Sequence, residues 1–258
     1  MPLSFDLVVA TVGRTDELQR LLESLQRQTH RNFRVLLVDQ NDDDRLAGLA
    51  GVERIQASRG LSLARNTALP RIEADVVAFP DDDCTYPDDL LERVARRLEN
   101  DAALGGVTGR DDRGTWPPDR ATLTRNNVWN RAISFTIFLR GDVVRSVGAF
   151  DERLGLPHSS GEEIDYLIRA IDGGVRIEYD PDIVVHHAAT ERPLLELGAR
   201  DGESVGYLLR KHAYPRRMLG RMFARPVAGA ALALLRRDRE RAAFHVETLR
   251  GRARGYRA

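Results

Sequence analysis

Three consecutive carboxylates, Asp81-Asp82-Asp83, follow the apolar run Val76-Val77-Ala78-Phe79. Adjacent carboxylates repel one another unless something positive is shared between them. Hard oxygen ligands suit Mg²⁺ or Mn²⁺, ions commonly held by one or two carboxylates together with the phosphates of a substrate. The same acids would also serve as negative charge at the start of a helix opened by Pro87, so metal binding and capping both stand on composition alone. A second acidic group, Glu162, Glu163 and Asp165, crowds the start of the stripe Ile164, Leu167, Ile168 and Ile171. There it suits the helix dipole, and a buried general base would have the same composition. His186-His187 closes the run Ile183-Val184-Val185. A lone histidine is more often a surface or core residue than a ligand, but two at a strand's end in a chain with an acidic cluster carry more weight.

The elements that must position these groups are legible from hydrophobic periodicity. Phe5 to Thr11 reads as a buried strand, followed by a turn at Gly13-Arg14-Thr15 and a helix whose Leu18, Leu21, Leu22 and Leu25 recur at helical spacing. Phe33 to Val38 reads as a second strand ending in Asp39, Val52 to Ala57 as a weaker third, and Leu61 to Leu69 as a helix carrying Arg65 and Asn66. The Val76 run is the fourth strand, with a helix expected from Pro87 through Leu98. Strands alternating with helices predict a doubly wound, mostly parallel α/β sheet, which binds ligands at the carboxyl ends of its strands. Further on, Arg110 to Arg125 reads as a surface loop, Ile133 to Leu139 as one strand, Val143 to Val147 as a short helix, and Val175 to Tyr179 and Ile183 to Val185 as two more strands. A Gly-x-Gly-x-x-Gly fingerprint and a P-loop are both missing from the sequence, which removes support from oxidoreductase and ATPase readings.

The chain has 258 residues, 42% of them hydrophobic, enough for one sizeable core with room for an appendage. Its single cysteine, Cys84, forms no internal disulfide and suits a reducing compartment. The first residues lack the pattern of a signal peptide and no segment reads as the ~20 apolar residues of a membrane span, so a cytoplasmic protein is expected. Formal net charge is zero but unevenly spread: residues 210 to 258 hold 14 basic and three acidic side chains, a net +11, which leaves −11 for residues 1 to 209. That asymmetry fits either contact with an anionic surface or a solvated basic tail.

In order along the chain, Val8-Val9-Ala10-Thr11-Val12-Gly13-Arg14, the strand-end Asp39, Gly60-Leu61-Ser62-Leu63-Ala64-Arg65-Asn66, Asp81-Asp82-Asp83, Gly148-Ala149-Phe150-Asp151-Glu152, Gly161-Glu162-Glu163-Ile164-Asp165 and Val184-Val185-His186-His187 resemble the motifs of the inverting glycosyltransferases of family 2. The resemblance implies the GT-A fold and transfer of a sugar from a nucleoside diphosphate to an acceptor hydroxyl, with Mg²⁺ or Mn²⁺ as cofactor. It implies that Thr11, Arg14, Asp39, Arg65, Asp81 and Asp82 face the nucleotide-sugar. Asp83 and Asp81 would hold the metal with His187, which fits the family's position better, or His186. The family usually has Glu-Asp where this chain has Glu162-Glu163, so Glu163 is the first candidate base, with Asp165 and Glu162 beside it. A UDP-sugar is the first choice of donor, with dTDP- and GDP-sugars as alternatives. A glycan, a glycolipid or a small molecule would be the acceptor, as in surface polysaccharide or glycolipid synthesis, and nucleic acid is disfavoured as a partner. The alternatives are an inactive nucleotide-sugar-binding module and a metal-dependent phosphate-transfer enzyme. The expected organisation is a GT-A catalytic domain over residues 1–209, with a nucleotide-binding half at 1–109 and an acceptor and base half at 110–209, then a basic helical extension at 210–258. Within that extension the uncharged run from Pro226 to Leu235, flanked by arginines, could lie in the interface of an anionic membrane. The competing expectation is that Val227, Leu232 and Leu235 pack onto the catalytic domain.

Overall fold

Strand β1 (Phe5–Thr11) is almost wholly buried and pairs in parallel on both sides, with β2 (Phe33–Asp39) and with β4 (Val76–Ala78), while β3 (Glu53–Gln56) extends the parallel set beyond β2. Such a strand needs helices on both faces, which is why its sequence is a continuous apolar run instead of an alternating one. In the computed structural model, which describes residues 2–155, 160–188 and 193–258, the sheet order is β3-β2-β1-β4-β8-β6-β9-β5. The remaining strands are β5 (Cys84–Thr85), β6 (Gly106–Asp111), β7 (Ala121–Thr122), β8 (Ile137–Arg140) and β9 (Ile177–His187), with β7 pairing on β9. The parallel set is interrupted by β8, which is antiparallel to both β4 and β6; β6 and β9 are again parallel.

Helices α1 (Asp16–Gln26), α2 (Leu61–Ala68), α3 (Leu90–Glu99) and α4 (Gly141–Val147) accompany this sheet. Leu18, Leu21, Leu22 and Leu25 of α1 and Leu90, Leu91, Val94 and Leu98 of α3 form one core with Phe5, Leu7 and Val9 of β1. Asp6, on the opposite side of the pleat, is buried at the strand's start. It accepts hydrogen bonds from Arg34 (Nε, 2.5 Å) and from the backbone amides of Glu73 and Ala74 (2.8 and 3.0 Å), tying β1, β2 and the approach to β4 together.

Three local expectations change in the tertiary context. The helix after Pro87 begins only at Leu90, because Cys84 and Thr85 are drawn into a strand against His187 and His186. The first half of the expected Ile133 strand is a 3-10 turn at Ser134–Thr136, closed by the Thr136 hydroxyl donating to the carbonyl of Ile133 at 2.9 Å. The two short strands expected between Val175 and Val185 are one, β9, which passes through Asp180-Pro181-Asp182 with a shift of register against β6.

The described chain divides into two compact units: Met1–Phe150 with Tyr166–Ala188, and Asp151–Asp165 with Ala189–Ala258. Helix α5 (Glu162–Asp172) starts in the second and ends in the first. The rest of the second unit is built of α6 (Leu194–Lys211), α7 (Arg216–Leu235) and α8 (Arg239–Arg257), so residue 209 falls inside α6. Gly198, Gly202 and Gly206 recur every four residues on α6, where a Cβ at Gly198 or Gly202 would lie 2.7 or 2.5 Å from the carbonyls of Phe244 or Thr248 in α8. Gly251 and Gly255 of α8 meet the backbone of α6 in the same way. The matched spacing makes α6 and α8 parallel neighbours at backbone contact. Helix α7 runs antiparallel to α8, with Gly229 against the ring of His245 and the carbonyl of Met222 accepting from Arg252. By length and composition alone α7 is long and apolar enough to cross a membrane, although Arg221 and Arg225 interrupt its apolar positions.

Candidate active site

The carboxyl ends of β1, β2 and β4 meet along one edge, where Ala10 forms a bridge with Asp81. Two tight backbone positions shape that edge: Gly13 with φ +71° and Gly60 with φ +141°, conformations that a side chain would strain. The Gly13 amide donates to Asn41 Oδ1 (2.7 Å) and the Gly60 amide to Gln40 Oε1 (2.8 Å), so both turns are pinned to the loop after β2.

Each acid of the triplet has a different environment. Asp82 is buried and accepts from the Thr11 hydroxyl and from Arg14 Nη1, both at 2.7 Å. Burial outweighs these two partners and pushes its carboxyl above the ordinary range. Asp83 lies 2.6 Å from the same Arg14 nitrogen and 3.0 Å from His187 Nε2. Its burial is outweighed by His187 and Arg14, which hold it below the ordinary range, and the same hydrogen bond raises His187. Asp81 receives Arg65 Nη2 and the Ser134 hydroxyl, each at 3.3 Å. Arg65 is buried with its guanidinium 5.7 Å from the Phe79 ring and 5.6 Å from the Phe150 ring. Asn66 exchanges two hydrogen bonds with the backbone of Phe150 and fixes that ring's segment.

One ligand atom from each of Asp81, Asp83 and His187 can be chosen so that all lie within 4.8 Å of one another. Two carboxylate oxygens and an imidazole fit a divalent ion of the Mn²⁺ or Mg²⁺ type and leave coordination positions for phosphate oxygens. His187 is held in place by stacking on Phe135, with centroids 4.6 Å apart and planes 12° from parallel. Neighbouring side chains on a strand face opposite ways, so His186 turns away from the cluster, and its Nδ1 lies 2.8 Å from Asp112. Asp39 stands at the carboxyl end of β2. It is fully enclosed, with Oδ1 accepting from the amide and side chain of Asn41 and Oδ2 from Arg54 at 2.8 Å. Its carboxylate thus shapes the loop that borders the edge.

The three acids of α5 belong to the second unit. Glu162 is buried and Glu163 half-buried. Asp165 is fully buried with Lys211 Nζ at 2.6 Å and His212 Nε2 at 2.8 Å. Lys211 also reaches Asp151 at 2.8 Å, and Tyr207 donates its hydroxyl to the same carboxylate at 2.6 Å. These bonds, with Arg153, overcome burial and hold Asp151 well below the usual carboxylate range. Sequence reasoning missed Ser134 and Phe135, which sit in an apolar alternating run, and Lys211 and His212, which are lost in a generally basic segment. Asp151 lies in the Gly148–Glu152 motif, where the sequence alone assigns it no role.

Comparison with known proteins agrees with this architecture. The family model described as Glycosyl transferase family 2 matches residues 6–146. The chain is 26% identical over 205 residues to the "Pre-mycofactocin glycosyltransferase" of Mycobacterium tuberculosis, covering 70% of this chain but 42% of that protein's length. It is 26% identical over 216 residues to "Glycosyltransferase AglE" of Haloferax volcanii, covering 74% of this chain and 68% of the other. Among solved structures, the mannosyltransferase PcManGT from Pyrobaculum calidifontis, in complex with GDP-Man and Mn²⁺, superposes with a TM-score of 0.71 at 16% identity over 99% of this chain and 87% of that one. TarS of S. aureus superposes with a TM-score of 0.60 at 18% identity over 81% of this chain and 42% of that one. The fold is that of the GT-A glycosyltransferases, and with more than half of its length matched, the chain belongs to glycosyl transferase family 2.

Proposed function

We propose that the protein is a metal-dependent inverting glycosyltransferase that moves a sugar from a nucleoside diphosphate to an acceptor hydroxyl. The observation that carries this reading is the convergence of Asp81, Asp83 and His187 at the carboxyl edge of the sheet, since two carboxylates and an imidazole this close form a donor set that suits a divalent ion. Bound there, Mn²⁺ or Mg²⁺ would supply Lewis-acid stabilisation of the diphosphate that leaves. Arg14 and Arg65, already beside these acids, would add positive charge for the same phosphates. Glu163 would take the proton of the acceptor hydroxyl as that oxygen bonds to the anomeric carbon and the electron pair of the breaking bond stays with the diphosphate. A single displacement inverts the anomeric centre. Asp165 suits this role less, because Lys211 and His212 occupy its carboxylate. UDP-sugars remain the first donor class. A mannosyltransferase of the same fold was solved with GDP-Man and Mn²⁺, which supports GDP-sugars as the alternative. The lone, buried Cys84 suits a cytoplasmic setting.

The test is calorimetric titration of UDP-, dTDP- and GDP-sugars with and without Mn²⁺ on the wild type and on Asp83→Ala, with the configuration of any product read by NMR. Metal-dependent binding of one donor class, lost in the variant and followed by an inverted product, is expected. Equal donor affinity in Asp83→Ala, or a retained configuration, would overturn the mechanism.

A further inference from the structure

The large apolar side chains that are exposed among the described residues are unevenly placed. Apart from Val12 and Tyr256, all of them lie on α6, α7 and the first half of α8. Helix α7 buries only Met222, Pro226 and Ala233. Val227, Leu232, Leu234 and Leu235 are 53%, 48%, 62% and 82% exposed, so the packing expected for Val227, Leu232 and Leu235 does not occur. Helix register places the start of α6 level with the end of α7. Gly198 meets Phe244 and Gly202 meets Thr248 in parallel, whereas Gly229 meets His245 in antiparallel. Leu194 and Leu195, 43% and 45% exposed, therefore stand at the same end of the three-helix unit as Leu234 and Leu235. A groove lined by Leu195, Ala199, Ala243 and Val246, with Glu196, Glu247 and Arg250 among its walls, opens there too. Arg236, Arg237, Arg239 and Arg241 follow immediately and are exposed, as are Asp238 and Glu240 between them, a local excess of two positive charges within the basic segment that begins at residue 210.

We propose that this end of the helical unit docks on an anionic lipid surface, with Leu194, Leu195, Leu234 and Leu235 entering the interface and the surrounding arginines meeting the headgroups. Charge favours this occupant: beside the exposed leucines, Arg236, Arg237, Arg239 and Arg241 outnumber the acids Glu196, Asp238 and Glu240, and an apolar tip with a cationic excess matches acyl chains beneath phosphates. The unit lies on the membrane and does not cross it. From Pro226 to Leu235 the helix rises only about 15 Å, half of a hydrocarbon core. Its first half carries Arg216, Arg217, Arg221 and Arg225, and the arginine-rich α8 packs against it. A lipid-linked acceptor would meet the enzyme at that surface.

The test is co-sedimentation of the full chain with phosphatidylcholine vesicles and with vesicles that also contain phosphatidylglycerol, at low and high salt, for the wild type, Leu234→Glu/Leu235→Glu and Arg236→Glu/Arg237→Glu. These positions are exposed, so unchanged melting of the variants confirms that they fold. Preferential, salt-sensitive binding to the anionic vesicles is expected, abolished by the leucine variant and lowered at least about fivefold for each reversed charge, the change that about 1 kcal/mol per cation implies. Equal binding to both vesicle types, no binding, or full binding by the leucine variant overturns the proposal. So does a wild-type oligomer that the leucine variant dissolves in the absence of vesicle binding, which would assign the face to a second copy of the chain. Because partition is read without a donor sugar, its failure leaves the catalytic reading untouched, and failure of transfer leaves the docking untouched.

Discussion

Arg14 is the residue whose placement says most about how the acidic cluster tolerates itself. Its Nη1 lies 2.7 Å from Asp82 and 2.6 Å from Asp83, so the guanidinium supplies part of the positive charge that neighbouring carboxylates require. An ion bound by Asp83 has to coexist with it. A unit charge about 5 Å from a divalent ion costs roughly 1.5 kcal/mol even in a water-like dielectric, about tenfold in affinity. Arg14→Ala is therefore expected to bind Mn²⁺ alone about tenfold more tightly by calorimetry while binding nucleoside diphosphate less well; weaker binding of both would show that Arg14 supports the ion instead of opposing it. The candidate bases are separable in the same spirit. Glu163→Gln keeps its shape but loses a proton acceptor, so transfer should fall by about a hundredfold or more with donor affinity and melting unchanged. Asp165→Asn removes the partner of Lys211 and His212 and should cost roughly 2 kcal/mol of stability, with the smaller effect on transfer in the fraction that remains folded. A reversed order of damage would move the base to Asp165.

Among the elements, β1 and the α6–α8 pair rest on contacts of opposite chemistry. Asp6 is buried at the start of β1, and although burial alone would raise its carboxyl, Arg34 and the amides of Ala74 and Glu73 lower it below the ordinary value. A carboxyl that is more acidic folded than unfolded contributes stability above its unfolded pKa of about 4 and loses it as pH falls through the folded value. Urea midpoints of the wild type should then drop below about pH 4, whereas Asp6→Asn should start lower at neutral pH, by about 2 kcal/mol, and change less on acidification. Parallel curves would remove Asp6 from the acid response. The helix pair depends on the lack of side chains at Gly198, Gly202 and Gly206. Gly202→Val brings a branched side chain to where a Cβ already stands 2.5 Å from the Thr248 carbonyl. It should cost about 3 kcal/mol, read as a lower melting point, against a near-neutral substitution at the unencumbered Gly220.

At the scale of the whole molecule, the division into a sheet unit and a helical unit bears on how ligands alter stability. A nucleoside diphosphate with Mn²⁺ would bind residues of the first unit, and binding to the native state alone adds about 2.7 kcal/mol at a hundredfold excess over Kd. Thermal denaturation followed by the near-ultraviolet signal of Trp116 and Trp129, both in the sheet unit, should therefore shift upward with the ligand pair and not with Mn²⁺-free nucleotide. An equal shift without metal would detach the nucleotide from the Asp81, Asp83 and His187 cluster.

The alternation of strands and helices, the position of the acids at a strand's end and the family were determined by sequence, because short-range periodicity and motif order depend on neighbours along the chain. Tertiary structure decided the rest. His187 and not His186 joins the acids because β5 pairs with β9 in a fixed register and strand side chains alternate. Asp39 turns inward because Arg54, on the neighbouring strand, takes its carboxylate. Asp165 is held by residues 46 and 47 positions away, and a packing partner at that separation leaves no local pattern in the chain. The exposed leucines of α7 carry the same lesson: an apolar run states that a face seeks cover, and only the packed molecule shows that the face is still bare.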